Sequence, residues 1–414
     1  MSSCFDYLAT GQDIDAELKH LARFTDVEGE MTRLTLSPAH KRAIDYLTTR
    51  FKAAGMAVEL DAMGSLHGIY NPHQSQDIIV IGSHIDTVRN AGIYDGNLGV
   101  IIGLKVIEAL AASKTTLPFG IQLIAFGDEE GVRFPTTLTG SSFVAGHFNP
   151  SWLDEKDADG ISRADALTAL GAPNVKQSHH FGQRIKAYLE VHIEQGPVLQ
   201  AHDVPLGIVS AINGVTRGHI VVQGMAGHAG TLPMAMRQDA VTACAEMILA
   251  FEQRARQTHE LVATNGVITI KNPAINVVAG EAHFSFDLRS PRDDDRLRAL
   301  DDLRETIAAI AQARHVSAQW HIGHQALATP CDEHLMAGLS KAAHHHGITA
   351  LTLPSGAGHD AMAFRHVVPL AMLFVRCHDG ISHNPREAIR HDDVGVAAQV
   401  LLTTLLEMAQ IKVS

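Results

Sequence analysis

IIVIGSHIDTVRNAGIYDGNL, residues 78–98, decides the fold of this chain. Ile78, Ile79, Val80 and Ile81 are four consecutive β-branched aliphatics, the pattern of a short strand buried on both faces. The run breaks at Gly82-Ser83 and then presents His84 and Asp86, with Asp95 eleven residues beyond the histidine. Apolar residues at helical spacing follow in Leu98, Ile101, Ile102, Val106 and Leu110. In an open α/β sheet, chemistry collects at the carboxyl ends of the strands, where His84 and Asp86 fall. A histidine that ligates a metal through one ring nitrogen usually donates its other N–H to a carboxylate. The alternation of a strand end would put Asp86 behind His84 in that role. Asp95 lies in a turn rich in glycine (Gly92, Gly96, Gly99), from which a short carboxylate can reach a metal. The plain alternative is a surface turn with a stray histidine.

The next segments decide between these readings. A helix over about 97–113 leads to Ile121-Gln-Leu-Ile-Ala-Phe126, a second buried strand, so a β–α–β crossover makes the two strands parallel. The second strand ends in Gly127-Asp-Glu-Glu-Gly131. Alone, this is a solvated acidic loop. Level with His84, two adjacent carboxylates need a neutralising partner. A metal supplies it, with one carboxylate ligating and its neighbour free to accept a proton. Further on, Ala187-Tyr-Leu-Glu-Val-His-Ile-Glu-Gln-Gly196 restores a strand, and His192-x-Glu194 repeats the pattern of His84-x-Asp86. Taken alone His192 is a half-buried strand histidine; at the third such strand end it joins the ligand candidates.

Around this centre the chain is orderly. Helices are expected over 13–22 and 37–55, the second opened by Ser37-Pro38, and strands over 58–60 and 66–70. Residues 151–183 are polar and read as irregular. From about 212 to 330 the order is strand (219–223), helix (239–256), strand (267–271), strand (281–288), helix (293–313), strand (317–322), a ferredoxin-like unit. Ala282, Phe284, Phe286 and Leu288 alternate with polar residues, so one face of that strand is buried. A helix over 332–346 ends in three histidines that suit its carboxyl end as solvated caps. A strand over 349–353 precedes the glycine-rich loop with His359. A strand over 370–375 precedes His383, and a helix over about 392–408 closes the chain. The expected architecture is α/β: a mostly parallel metallohydrolase domain from 1–211 and 331–414, with an α+β domain inserted at 212–330.

Composition narrows the function. The chain has 414 residues, 46% hydrophobic, with a formal charge of −12, which argues against nucleic acid and acidic membrane surfaces. Cys4, Cys244, Cys331 and Cys377 are scattered and form no zinc-ribbon pattern, as suits a reducing compartment. No signal-peptide pattern opens the sequence and the run 367–375 is too short to span a bilayer, so a cytoplasmic protein is expected.

His84, Asp95, Glu130, His192 and His383 form a mixed N/O set. Two divalent ions sharing Asp95 would use all five and leave room for a bridging hydroxide, with Glu129 remaining as general base. Without thiolates or an oxygen cage, Zn²⁺ is the default and Mn²⁺, Co²⁺ or Ni²⁺ are compatible. Eight segments in order (GSHIDTV, YDGNLGV, DEEGVRFP, HIEQGPVL, GHAGTLPM, NVVAGEAHFSFDLRS, PSGAGHDA, GISHNPREAI) make the sequence resemble the hydantoinase/carbamoylase branch of the M20 metallopeptidase family. The resemblance runs from about residue 31 to the C-terminus. It implies a binuclear site on those five ligands, with Glu129 as base and Asp86 as the supporting carboxylate. It further implies that His228, Asn276, Arg289 and His359 bind substrate carboxylate and carbonyl oxygen, that Gln195 places the substrate, and that the inserted domain is a lid and homodimerisation module. Within such a dimer the partner contributes His228 or Asn276. Arg217 is left open, either a second anion contact or a surface arginine. The implied reaction is hydrolysis of a carbamoyl (ureido) C–N bond in a small carboxylate substrate: an N-carbamoyl-L-amino acid, allantoate or 3-ureidopropionate. A dipeptidase or N-acyl-amino-acid deacylase on the same fold is the alternative, and a metal-binding scaffold without activity a third reading.

Overall fold

The computed structural model describes residues 7–174 and 185–411. Cys4 and the part of the polar segment between 175 and 183 lie outside the described residues. The chain divides into two compact units. The first is Met1–Ser210 with Cys331–Leu353 and Gly358–Ser414; the second is Ala211–Pro330 with Pro354–Ala357.

The first unit is built on a nine-stranded sheet. Its order is Ala57–Leu60, Leu66–Tyr70, Gly120–Phe126, Ile78–His84, Ile185–Ile193, Leu370–Val375, Leu206–Ile212 and, from residues of the second unit, Thr329–Pro330, with Leu351–Ser355 also on Leu206–Ile212. The four central strands are mutually parallel. The Ile78–His84 strand lies between its successor Gly120–Phe126 and the later Ile185–Ile193, so the order of crossing reverses at its carboxyl end. Open α/β sheets carry their crevice at such a switch point. Register levels the ends: His84 is opposite Phe126, and Phe374 opposite His192.

Every residue of Ile78–His84 is buried, as the aliphatic run implies. The strand does not break at Gly82-Ser83 but continues to His84. Gly82 keeps it regular beneath two rings, since a Cβ there would stand 2.6 Å from Phe126. The Asn97–Ser113 helix buries Val100, Leu104 and Ile107 as well as the expected stripe. It packs on the sheet with helices Tyr7–Leu21 and His391–Met408 against it, so no broad face is left for water. Lys105, in the middle of it, reaches Asp13 and Glu108.

The 151–174 stretch is not irregular. It holds a 3₁₀ turn at Pro150–Asp154 and a helix at Arg163–Leu170. Ser162 accepts the Asp165 N–H at the start of that helix, and Gly171 closes it in a left-handed conformation. Ser162-x-x-Asp165 was the available signal. The histidines at the end of Glu333–His345 also divide: His344 and His345 are exposed, but the half-buried His346 bridges Tyr7 Oη (2.9 Å) and Thr403 Oγ1 (2.8 Å).

The second unit carries a five-stranded antiparallel sheet in the order Ile268–Ile270, Glu281–Ser290, Gly214–Gln223, Ser317–Ala326, with Val262–Thr264 also on Glu281–Ser290. Apart from Val262–Thr264 this is the ferredoxin-like arrangement, and helices Ala240–Arg256 and Asp293–Ala313 cover one face. Phe251, Phe284, Phe286 and Trp320 form its aromatic core. The strands expected at 219–223 and 317–322 are longer, because ten residues of Glu281–Ser290 pair along Gly214–Gln223. The loop Pro354–Ala357 joins this unit through Asn213 N–H to Ser355 O and Arg289 Nη1 to Gly356 O.

Candidate metal centre

The four parallel strand ends bring the five expected ligands of the first unit together. Asp95 is the hub. Its Oδ1 lies 3.4 Å from His84 Nε2 and 3.2 Å from His192 Nε2, and its Oδ2 lies 3.4 Å from His383 Nε2. Glu130 Oε2 is 3.4 Å from that same His383 nitrogen. The geometry therefore divides the set in two: His84, Asp95 and His192 in one group, Asp95, Glu130 and His383 in the other. Chain order alone left this division undecided.

The residues fit a metal. Four ligand atoms bound at about 2.0–2.1 Å in a tetrahedron lie about 3.3 Å from each other, which matches these separations. Glu130 Oε1 is buried without a hydrogen-bond partner among the described residues. Burial, followed by the nearby Asp95 and Asp86 carboxylates, pushes the Glu130 carboxyl up to about 7. Glu129 is raised well above the usual carboxylate range by burial and then by Glu130, Asp360 and Asp86, against the pull of His84. So many buried carboxylates call for cationic compensation.

Local structure aims these groups. Gly96 has φ +65°, and a Cβ there would come within 2.4 Å of the His84 ring. Only glycine lets the Asp95 loop pass so close. Asp128, Gln195 and His383 take left-handed backbone conformations at φ 73°, 56° and 55° without being glycine. Strain of that kind collects where side-chain direction matters more than local stability. Gln195 donates its amide to Asp95 Oδ2 (2.7 Å) and to Ser382 Oγ (3.2 Å), and Ser382 donates to the same Asp95 oxygen.

Two supporting residues do other work than the spacing suggested. His84 Nδ1 faces the main-chain carbonyl of Asp86 at 3.0 Å, while the Asp86 carboxylate is 3.8 Å away. That carboxylate instead accepts the N–H groups of Glu129 and Glu130, each at 3.2 Å. Asp86 thus holds the adjacent pair of glutamates and orients His84 through its backbone. Glu194 does not support His192 either. It accepts Val198 and Leu199 N–H, and His192 Nδ1 faces Ile193 O at 2.9 Å. At a strand end the alternation gives way to the turn, so an i+2 carboxylate need not follow its histidine.

Other contributors escaped the sequence. Glu387 accepts the N–H groups of Tyr94 (2.7 Å) and Asp95 (3.0 Å), tying the Asp95 loop to the segment after His383. Burial, then Asp95, raises its carboxyl to about 7. Arg33 is fully buried and donates to Ile85 O, Leu21 O and Asn97 Oδ1, fastening both ends of the His84–Asn97 loop. Glu387 lies within the GISHNPREAI segment and Arg33 does not lie in any of the eight, and nothing in the spacing of either marks a long-range acceptor or donor.

His359 stands in the first unit, fully buried, its ring edge-on to His192 (4.5 Å) and Phe374 (5.8 Å). Burial, with His192 beside it, holds its pKa well below the ordinary histidine range, so the ring is neutral. The remaining candidates are in the second unit. His228 pairs with Val277, and Ala229 N–H donates to Asn276 O, so His228 and Asn276 are neighbours. His228 Nδ1 accepts the Gly230 N–H, which leaves its proton on Nε2. Arg289 and Arg217 both grip Asp287: Arg289 through Nε (2.7 Å) and Nη2 (2.9 Å), Arg217 through Nε (2.7 Å).

Fold and site together define a metal-dependent hydrolase. The sequence profile of peptidase family M20/M25/M40 matches residues 80–407. The chain is 37% identical to the allantoate deiminase of Arabidopsis thaliana, covering 94% of this chain and 81% of that protein. It is 34% identical to the N-carbamoyl-L-amino acid amidohydrolase of Geobacillus stearothermophilus, over 92% and 94%. A crystal structure of a hydantoinase/carbamoylase family amidase from Burkholderia ambifaria superposes with a TM-score of 0.90 at 33% identity, covering 98% of each chain. The chain belongs to peptidase family M20/M25/M40, in its hydantoinase/carbamoylase branch.

Proposed function

We propose that this protein hydrolyses the carbamoyl (ureido) C–N bond of a small carboxylate substrate, with allantoate and N-carbamoyl-L-amino acids as the leading candidates. It is a hydrolase of non-peptide C–N bonds, like the relatives named for those two substrates. The observation that carries the reading is the divided ligand set, Asp95 shared between two groups, with Glu129 Oε2 standing 3.9 Å from His84 and belonging to neither. A binding scaffold has no use for that spare carboxylate.

Two divalent ions, Zn²⁺ by default with Mn²⁺, Co²⁺ or Ni²⁺ compatible, would be held by His84, Asp95 and His192 and by Asp95, Glu130 and His383. When bound they supply Lewis acidity that makes water a nucleophile at neutral pH. Glu129 takes the water proton and passes it to the departing nitrogen while the oxygen joins the carbamoyl carbon. Asp86 keeps Glu129 in place through its N–H. Gln195 holds Asp95, and His359 and His228 donate to the developing oxyanion. Arg289 and Asn276 hold the substrate carboxylate and carbonyl, with Arg217 as a second anion contact beside Asp287.

The first experiment is ammonia release from allantoate, N-carbamoyl-L-amino acids and 3-ureidopropionate, with dipeptides and N-acyl-amino acids as the rival set. Turnover of the rival set alone would overturn the reading. Chelation should abolish activity and divalent metal restore it, and chelator-resistant turnover of metal-free protein would count against the whole site. Loading should also weaken as pH falls. His383 is raised to about 8 by Asp95, and His84 lies well above the ordinary range, so protons compete with metal below about pH 8. Metal titrations at stepped pH check the sign.

We also read the second unit as a homodimerisation and lid module. Its edge strand Ile268–Ile270 has one strand partner, and Val267 (57% exposed), Ile268 (56%) and Leu249 (62%) form an apolar surface there. A groove of about 370 Å³ lined by Val241, Cys244, Ile248, Leu249 and Ile268 continues it. Such an edge and patch need cover. Light scattering should give twice 44.6 kDa, and a fully active species at 44.6 kDa would refute the dimer. No helix among the described residues is long and apolar enough to cross a membrane, and a cytoplasmic site of action accords with the scattered thiols.

A further inference from the structure

Glu190 lies two residues before His192 on the Ile185–Ile193 strand and is 1% exposed. Its Oε1 accepts Ser83 Oγ (3.1 Å); its Oε2 accepts Tyr188 Oη (2.9 Å) and Ala361 N–H (3.1 Å). Together with His192 and His359 it has the spacing of a third metal group. The donors already on it argue otherwise. Both oxygens are occupied by two hydroxyls and an amide, the environment of a carboxylate used as a clamp.

What it clamps is informative. Ser83 immediately precedes His84, Glu190 shares a strand with His192, and Ala361 is two residues beyond His359. The 3₁₀ turn Asp360–Phe364 is fastened a second time where Phe364 stacks on the Tyr188 ring (4.3 Å between centroids, 17° between planes). His359 itself follows the loop Gly356-Ala-Gly358, which has little stiffness of its own. The His359 ring packs on His192 and Phe374, and the turn after it is held by the Glu190 carboxylate and the Tyr188 ring.

We propose that Glu190 is a positioning residue that sets His359 against the metal ligands, through the Ala361 amide. The inference rests on the reading of His359 as a donor to substrate. Glu190→Leu keeps the volume and removes both acceptors. Glu190→Gln can keep an acceptor toward Ala361 and turn its amide nitrogen to Ser83, whose hydroxyl can accept. With allantoate as substrate, or N-carbamoyl-L-alanine if that is the one turned over, Glu190→Leu should lower kcat on the order of 10²-fold with KM changed much less, the scale of misplacing a reacting group by about 1 Å. Glu190→Gln should keep most of kcat, and metal content should be unchanged in both. In a His359→Ala background Glu190→Leu should cause little further loss.

An equal penalty in both backgrounds overturns the proposal. So does a Gln variant as slow as the Leu variant, or one that loses metal, since then the charge or a ligand role matters. If the Leu variant does not fold, Tyr188→Phe removes one donor from the clamp and keeps the ring stack. Its smaller kcat loss should likewise vanish without His359. A wild-type rate for His359→Ala alone would instead reject the role given to His359, which separates the two failures.

Discussion

Glu129→Gln should retain its metal and its substrate affinity and lose turnover by roughly 10²–10⁴-fold, the usual worth of a positioned general base. The side chain keeps its length, and the backbone N–H held by Asp86 is untouched, so the loop stays where it is. Only the ability to accept a proton goes. Glu130→Gln is the control beside it. Glu130 Oε2 faces His383 within the second ligand group, so that variant should lose metal before it loses chemistry. Metal content and kcat measured on both variants decide the matter. Near-wild-type turnover in Glu129→Gln, or normal loading in an inactive Glu130→Gln, would mean that the two adjacent glutamates exchange roles.

Arg289→Ala should lose most of kcat/KM on a carboxylate substrate, about 2–5 kcal/mol, the range for removing one partner of a buried charge pair. An amide analogue lacking the carboxylate should lose much less. Arg289 has donors left for such a contact. Three of its donors are engaged, two with Asp287 and one with Gly356 O. A guanidinium has five, so two N–H groups are left for a ligand. The hydrogen bonds to Asp287 raise its pKa further and fix the plane of the fork. Arg289→Lys keeps the charge without that fork and should be nearly as slow. If Ala slows both substrates equally, Arg289 is a structural partner of Asp287. Arg217, which leans on the same carboxylate with its side chain half exposed, is then the next anion contact to remove.

The sequence by itself determined which strands carry the site and the identity of the groups that follow them. A short run of consecutive β-branched residues favours a buried strand, and the crossover rule makes such strands parallel. Histidines and carboxylates that follow such strands meet at one end of the sheet, which is why the sequence alone already groups His84, Asp95, Glu130, His192 and His383. The alternation in Glu281–Ser290 was legible for the same reason: a period of two fixes a face.

Tertiary structure decided the rest. It alone assigns the two oxygens of Asp95 to different histidines, turns Asp86 from His84 toward the glutamate backbone, and sends Glu194 to the Val198 turn. It alone brings Glu387 to the Asp95 loop across nearly three hundred residues, and Glu190 to Ala361 across 171. Periodicity records which way a side chain leaves the backbone, because that depends on neighbours in sequence. The partner it meets depends on strand order, on turns such as Gly96 and on the few ångströms by which loops approach one another. Those are fixed only when the whole sheet is assembled.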